Sequence, residues 1–219
     1  MRIATWNVER LKHKSSLKEI QRICEDIEAD ILVLTETDAR LQPNYRCACH
    51  TPLLYESQPD YYKSTENRVS IFTKYPCISG YTTFDARTAL CIELKTEQGP
   101  LIVYGTIMGV YGNRHPSFKQ DLVEQVKDIN RLAGTGKPIC IIGDYNLSFS
   151  DNWYYTGFGR NTVLQSCREN HLRLLTAEAA NCIDHVAISG SFIGSSSIEI
   201  REWNLEKRLS DHKGIMVSW

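Results

Sequence analysis

The sequence predicts a single α/β (α+β) domain built from mixed β-sheets flanked by helices. Three observations lead there. Strand-like apolar runs outnumber helical stretches. Some strands come as hairpins and others lie on either side of a helix. Nothing in the 219 residues divides the chain. Hairpins make antiparallel neighbours and strand–helix–strand crossovers make parallel ones, so their mixture argues against a doubly wound parallel sheet. No Pro/Ser-rich linker, like-charge block or internal repeat interrupts residues 1–219, and one domain of that length buries a sizeable core.

"RIATW" (residues 2–6) reads as the first strand. "SLKE" (16–19) has the Ser-x-x-Glu form of a capping box, and Leu17, Ile20, Ile23, Cys24 and Ile27 follow at helical spacing. "DILVLTE" (30–36) is an apolar run ending in polar residues, as in a strand covered on both faces. Residues 38–67 carry little pattern and are expected as loop with one or two short elements. "RVSIFTK" (68–74) and "TALCIELKT" (88–96) are strands, and "EQGP" (97–100) turns the second back into "LIVYGTIM" (101–108). "SFKQ" (117–120) repeats the capping-box signal ahead of a stripe of Leu122, Val126, Ile129 and Leu132. "TGKP" (135–138) breaks that helix before the run Ile139-Cys140-Ile141-Ile142. A loop with Trp153, Tyr154 and Tyr155 follows, then a helix near 163–169, then strands at 182–189, 197–203 and 214–219.

Bulk properties narrow the function. Lys and Arg number 25 against 26 Asp and Glu, a net charge of −1 that argues against a strong non-specific nucleic-acid binder. A local basic patch stays open. The start, "MRIATWNVER", has no apolar run of signal-peptide length, and no stretch approaches a membrane span, so a cytoplasmic protein is expected. No obligate protein partner is implied. The eight Cys are expected as free thiols, several inside apolar strands. "CACH" (Cys47, Cys49, His50) offers metal-type ligands but lacks Cys-x-x-Cys spacing.

The chemistry concentrates at strand ends. Asn7 and Glu9 follow the first strand, Glu36 ends the second, and Asp144 and Asn146 follow "ICIIG". Asp184 and His185 lie in "CIDHVAIS", and Asp211 and His212 precede the last strand. Each pair alone has a bland explanation, since Asn and Asp end strands by bonding nearby backbone. Five such ends together are harder to explain that way. If they converge, like charges about 4 Å apart repel by roughly 4 kcal/mol at an effective dielectric near 20. Such a cluster stays ionised only around a cation, or else holds a proton. All-oxygen ligands suit a hard ion such as Mg²⁺, which keeps several waters and commonly meets phosphate.

"TWNVE" (5–9), "LTET" (34–37), "IIGDYN" (141–146), "CIDHV" (182–186) and "LSDHKGI" (209–215) occur in this order. Together they resemble the motifs of the endonuclease/exonuclease/phosphatase superfamily, which includes abasic-site endonucleases and pancreatic-type deoxyribonucleases. "RVSIFTKYP" (68–76) is similar to a further strand of that family. The resemblance implies a four-layer sandwich of two packed mixed β-sheets with helices outside. It implies hydrolysis of a phosphate ester with Mg²⁺ or Mn²⁺. By the same resemblance Glu36 is the principal metal ligand, with Glu9 and Asp211 near the ion, and Asn7 helps position both the reactive aspartate and the metal environment. Asp144 activates the attacking water, Asn146 contacts the phosphate, His212 contacts the scissile phosphate, and Asp184 pairs with His212.

The chain departs from the pattern twice. Glu9 stands where abasic-site endonucleases tend to have Asp. "VYGTIMGVYG" (103–112) has Thr106 and Ile107 where family members often place His or Tyr. Tyr104, Tyr111, Arg114 and His115 are candidates to compensate. Tyr104 shares a strand face with Thr106, and Arg114 and His115 lie just before a helix start, where a phosphate could bind; each also reads as an ordinary strand aromatic or solvated loop residue. Three functions stay in view: a nuclease or phosphodiesterase on nucleic acid, a phosphatase or phosphodiesterase for a small molecule or nucleotide, and a catalytically impaired phosphate-binding module.

Overall fold

Two βαβ units set the frame in the computed structural model, which describes residues 1–13 and 16–219. In the first, β1 (Arg2–Asn7) passes through α1 (Ser16–Asp26) to a parallel β2 (Ile31–Asp38). In the second, β7 (Gly99–Ile107) passes through α2 (Phe118–Ala133) to a parallel β8 (Ile139–Asp144). The other strands add as antiparallel neighbours: β3 (Cys47–His50), β4 (Glu66–Thr73), β5 (Cys77–Tyr81), β6 (Ala89–Thr96), β9 (Leu172–Leu174), β10 (Asp184–Ser189), β11 (Glu199–Trp203) and β12 (Gly214–Ser218). Helices α3 (Gly157–Glu169) and α4 (Gly190–Ile193) complete the set. One six-stranded sheet has the order β11-β12-β1-β2-β4-β3 and the other β5-β6-β7-β8-β10-β9.

The continuous apolar runs have a simple cause: their strands are covered on both faces. Ile3, Ile31, Val33, Cys140, Ile142, Val186 and Ile188 form part of the core between the sheets. The alternate residues Ala4, Trp6, Leu32 and Leu34 pack beneath α1, while Ile102, Tyr104, Ile139 and Ile141 pack beneath α2 and α3. The result is a helix–sheet–sheet–helix sandwich of four layers. Period-two alternation then carries the inward face to the strand ends. Asn7 continues the row of Ile3 and Thr5, Asp144 that of Cys140 and Ile142, and Asp184 that of Val186 and Ile188.

Several local expectations are corrected. Neither capping box forms as read: α1 begins at Ser16 itself, and the Ser117 hydroxyl donates to Asp121 instead of capping a backbone amide of α2. Tyr104, a candidate substrate contact, is fully buried with its hydroxyl 3.2 Å from Asp128 Oδ2. The metal reading of "CACH" fails because these residues form an edge strand. Alternation there puts Cys47 and Cys49 on one face and His50, bonded to Ser70, on the other. All eight cysteines are free thiols. Among the described residues no helix is long and apolar enough to cross a membrane.

Candidate active site

Asp144 is the hinge of the site. It ends β8 opposite Asp184 in the antiparallel pair and beside Ile107 in the parallel one. Gly143 precedes it with φ 138°, and a Cβ there would overlap the Thr106 carbonyl oxygen. Only glycine fits that approach of β7 to β8. Asn7 reaches across from the other sheet and donates through Nδ2 to Asp144 Oδ2 at 3.1 Å. The other carboxylate oxygen accepts the Asn146 backbone N–H at 2.8 Å.

Two buried carboxylates as cross-strand neighbours need compensation, and His212 supplies it. Its Nδ1 lies 2.6 Å from Asp184 Oδ2. Burial alone would discharge this imidazole. The charge and hydrogen bond of Asp184, with Asp144 and Asp211 in support, overcome that and raise it to about 10. Asp144 responds in the opposite sense. Burial pushes it up, His212 opposes, and Asp184 and Glu36 add repulsion, bringing it to about 7. Asp184 Oδ1 is buried with no hydrogen-bond partner among the described residues.

His212 is positioned by its loop. The Ser210 hydroxyl donates to the Asn7 carbonyl at 2.6 Å and accepts the His212 N–H at 3.1 Å. Trp6 Nε1 and Asn204 Nδ2 both donate to the His212 carbonyl. This loop is therefore stapled to the end of β1. Sequence reasoning assigned no role to Ser210, although it stands inside the quoted "LSDHKGI". Asn113, also unassigned, is buried with its Nδ2 donating to the Asn146 carbonyl at 2.8 Å, and its Oδ1 has no partner among the described residues.

The structure brings Asn7, Asp144, Asn146, Asp184 and His212 together and disposes the other candidates differently. Glu36 keeps a left-handed backbone, φ 43°, which interrupts the β2–β4 pairing between Thr35 and Thr37. Such strain in a non-glycine residue collects at functional sites. Its side chain makes no hydrogen bond among the described residues, yet its charge is felt at Asp144. Glu9 is used as a strut: its carboxylate accepts the Asp211 N–H at 3.0 Å and pairs with His13 and Lys12. Asp211 is largely exposed, with Oδ1 3.7 Å from His212 Nε2. The Asn146 amide nitrogen is spent on the carbonyls of Met108 and Gly109. Arg114 is exposed, and His115 bonds Ser117 and lies 4.8 Å from the Tyr111 ring.

No three His, Cys, Asp or Glu side chains among the described residues converge enough to hold an ion by themselves. The donor set still fits a hard cation, because Mg²⁺ takes one or two protein carboxylates and completes its shell with water. Glu36, without a partner and beside a buried carboxylate cluster, is the residue that fits first. A cleft of about 390 Å³ opens over this centre, with Asn146, Asp184 and His212 in its lining and Trp153, Tyr154 and Lys207 around them. Lys207 Nζ sits 4.6 Å from the centre of the Trp153 ring.

The sequence profile of the Endonuclease/Exonuclease/phosphatase family matches residues 4–212. The chain belongs to that family. Solved structures share the fold of this family member. An endonuclease/exonuclease/phosphatase from Beutenbergia cavernae has TM-score 0.70 and 15% identity, covering 99% of this chain and 70% of its own. The 3′ phosphatase NExo from Neisseria, bound to a product DNA hairpin, has TM-score 0.69 and 16% identity, covering 100% and 99%. A beta toxin from Staphylococcus aureus with bound magnesium ions has TM-score 0.64 and 15% identity, covering 99% and 98%. At these identities the likeness is one of fold. No curated protein sequence matches this chain.

Proposed function

We propose that this chain is a divalent-metal-dependent hydrolase of phosphate esters, acting as a nuclease or phosphodiesterase. The observation that carries the reading is the buried Asp144–Asp184–His212 arrangement, with Asp184 and His212 lining an open cleft and Asn7 tying Asp144 to the other sheet. A base poised near neutral pH beside a fixed imidazolium suits an in-line attack of water on phosphorus.

In this reading Asp144 orients a water and takes its proton. Asn7 holds the Asp144 carboxylate in place, and Asn146 fixes the turn that follows. His212 stays cationic through Asp184 and stabilises charge growing on the phosphoryl oxygens. Glu36 would hold Mg²⁺ or Mn²⁺, with Asn7 beside it and Asp211 at the rim. The bound ion supplies Lewis-acid neutralisation of the phosphate. The magnesium ions in the beta toxin and the product DNA in NExo support the cofactor and substrate class by analogy of fold.

A small phosphate ester or nucleotide is the second reading. The net charge of −1 and the modest cleft volume favour it. A panel of plasmid, oligonucleotide, bis-p-nitrophenyl phosphate and inositol phosphates, each with Mg²⁺ or Mn²⁺ and with EDTA, separates the two. Hydrolysis that EDTA abolishes and that Asp144→Ala and His212→Ala remove is the expected result. Absence of turnover on every substrate would overturn the catalytic reading.

A further inference from the structure

A second hollow, of about 310 Å³, opens beside the acidic centre and shares no lining residue with the His212 cleft. Its wall includes Ile107, the β7 neighbour of Asp144, and Arg68, which stands across from Glu36 between two paired positions of β2 and β4. It therefore adjoins the place where the scissile bond would lie.

The lining combines two cations with aromatic surface. Among the described residues neither Arg68 nor Arg87 is paired with a carboxylate. The hollow also holds two acids: Asp85 accepts the Arg87 backbone N–H, and Asp121 accepts the Ser117 hydroxyl. Glu66, two residues before Arg68, is taken by Arg10 at 2.9 Å. Arg10 lies over one ring, Tyr62, at 4.8 Å, and Arg68 lies 5.6 Å from the same ring while donating to its hydroxyl at 3.0 Å. Arg68 is thus held in position by a neutral partner and, among the described residues, has no carboxylate in ion-pair contact. Phe84 and Tyr111, exposed by 45% and 63%, face solvent at this hollow and offer ring surface for stacking.

We propose that this hollow binds one nucleotide unit of the substrate, its anionic phosphate on Arg68 and Arg87 and its base against the aromatic wall. The inference rests on the phosphoesterase reading and names the substrate class within it. The hollow is of small-ligand size, since such pockets run from roughly 300 Å³. A hollow of about 310 Å³ takes a single unit.

The test is binding of adenosine 5′-monophosphate in EDTA by calorimetry, beside adenosine, inorganic phosphate and a short 5′-phosphorylated oligonucleotide. EDTA removes metal and turnover, so a failed hydrolysis assay and a failed binding assay are separate results. The monophosphate should bind more tightly than adenosine or phosphate, and Arg87→Ala and Arg68→Ala should each weaken it about tenfold, the loss of one charge-assisted contact. Lys127→Ala, on α2 and paired with Glu124, should bind as the native chain does. The oligonucleotide then tells a chain end from a free nucleotide by which binds more tightly with the same arginine dependence. Equal binding of adenosine and its monophosphate, or native affinity in both arginine variants, overturns the proposal. Arg87 is exposed, so a misfolded Arg68 variant would leave its counterpart to decide.

Discussion

Replacing Asp184 by Asn removes one charge and almost no volume. In the native chain burial works against a cationic His212, and Asp184 is the largest influence in its favour, through charge and through the 2.6 Å bond. The rise from 6.5 to about 10 is worth about 5 kcal/mol in favour of the imidazolium, at 1.36 kcal/mol per unit. An Asn at this position keeps a hydrogen bond but leaves only Asp144 and Asp211 to oppose burial. The same change relieves Asp144 of its nearest like charge. His212 in the variant should therefore titrate at or below the ordinary 6.5 for histidine, instead of near the native value of about 10. Histidine Cε1–H resonances followed by NMR in EDTA, with His212→Gln assigning the signal, read this directly. The sign for stability follows. A group raised above its unfolded value contributes fully below pH 6.5, and that contribution is lost as pH climbs towards about 10. The Asn variant should lack this alkaline decline. Its turnover at neutral pH should fall by roughly 10²–10³-fold, as on losing one preorganised donor. An imidazole still cationic well above neutral pH in the variant would refute the reasoning and move the source of the charge to Asp144 and Asp211.

Gly143→Ala should destabilise the chain by roughly 3 kcal/mol or more, the upper end for single substitutions, because the new Cβ overlaps the Thr106 carbonyl; a urea midpoint close to native would show that β7 and β8 can separate without loss. Tyr104→Phe should cost about 1 kcal/mol for the lost bond to Asp128 and leave turnover unchanged; a large fall in kcat would return Tyr104 to the site. His185 is fully buried between the Thr176 hydroxyl and the Leu147 carbonyl, and burial lowers it from 6.5 to about 4. The unfolded chain then binds more protons in that window, so about 3 kcal/mol of stability is lost as pH falls from neutral through it. Urea titrations at both ends should show this loss, and His185→Asn should flatten it; an equal slope in the variant would assign the acid sensitivity elsewhere.

What could be read from the sequence was whatever depended on strand periodicity and burial. Runs such as Ile139–Asp144 announce a strand covered on both faces, and alternation then decides that Asp144 points inward with Ile142. The edge strands were harder. Cys77–Tyr81 is almost wholly exposed, so no alternation marks it. Helix α3 starts at Gly157, well before residue 163, against the poor propensity of Gly157 and Gly159. Tertiary packing overrides propensity there: Thr156 caps the Gly159 amide at 3.1 Å, and a side chain on Gly159 would strike Leu147 and Phe118. Tyr104 was misplaced because a strand face is known from sequence only modulo two, and the face of Thr106 lies beneath α2, where Thr106 itself bonds Gln125. The re-aimed Glu36 had no sequence signal beyond its motif, since a left-handed backbone at a glutamate is imposed by the fold.

The site groups belong to separate elements, and the bonds between them decide what holds the centre together. Asn7 comes from the first sheet, Asp144 and Asp184 from the second, and His212 from a loop that returns to the first. Three contacts close the circuit: Asn7 to Asp144 between sheets, Ser210 to Asn7 within the first, and His212 to Asp184 back to the second. Two buried acids side by side would push β8 and β10 apart at this rim if the imidazolium were not locked there by Ser210, Trp6 and Asn204. Ile142 and Val186, paired on the same two strands and packed in the inter-sheet core with Ile3 and Val33, supply the opposing attraction. Stability is therefore spent at the rim and regained in the layer below it. This arrangement explains why the polar cluster stands at the end of the sheets, where solvent can reach it, and not at their middle.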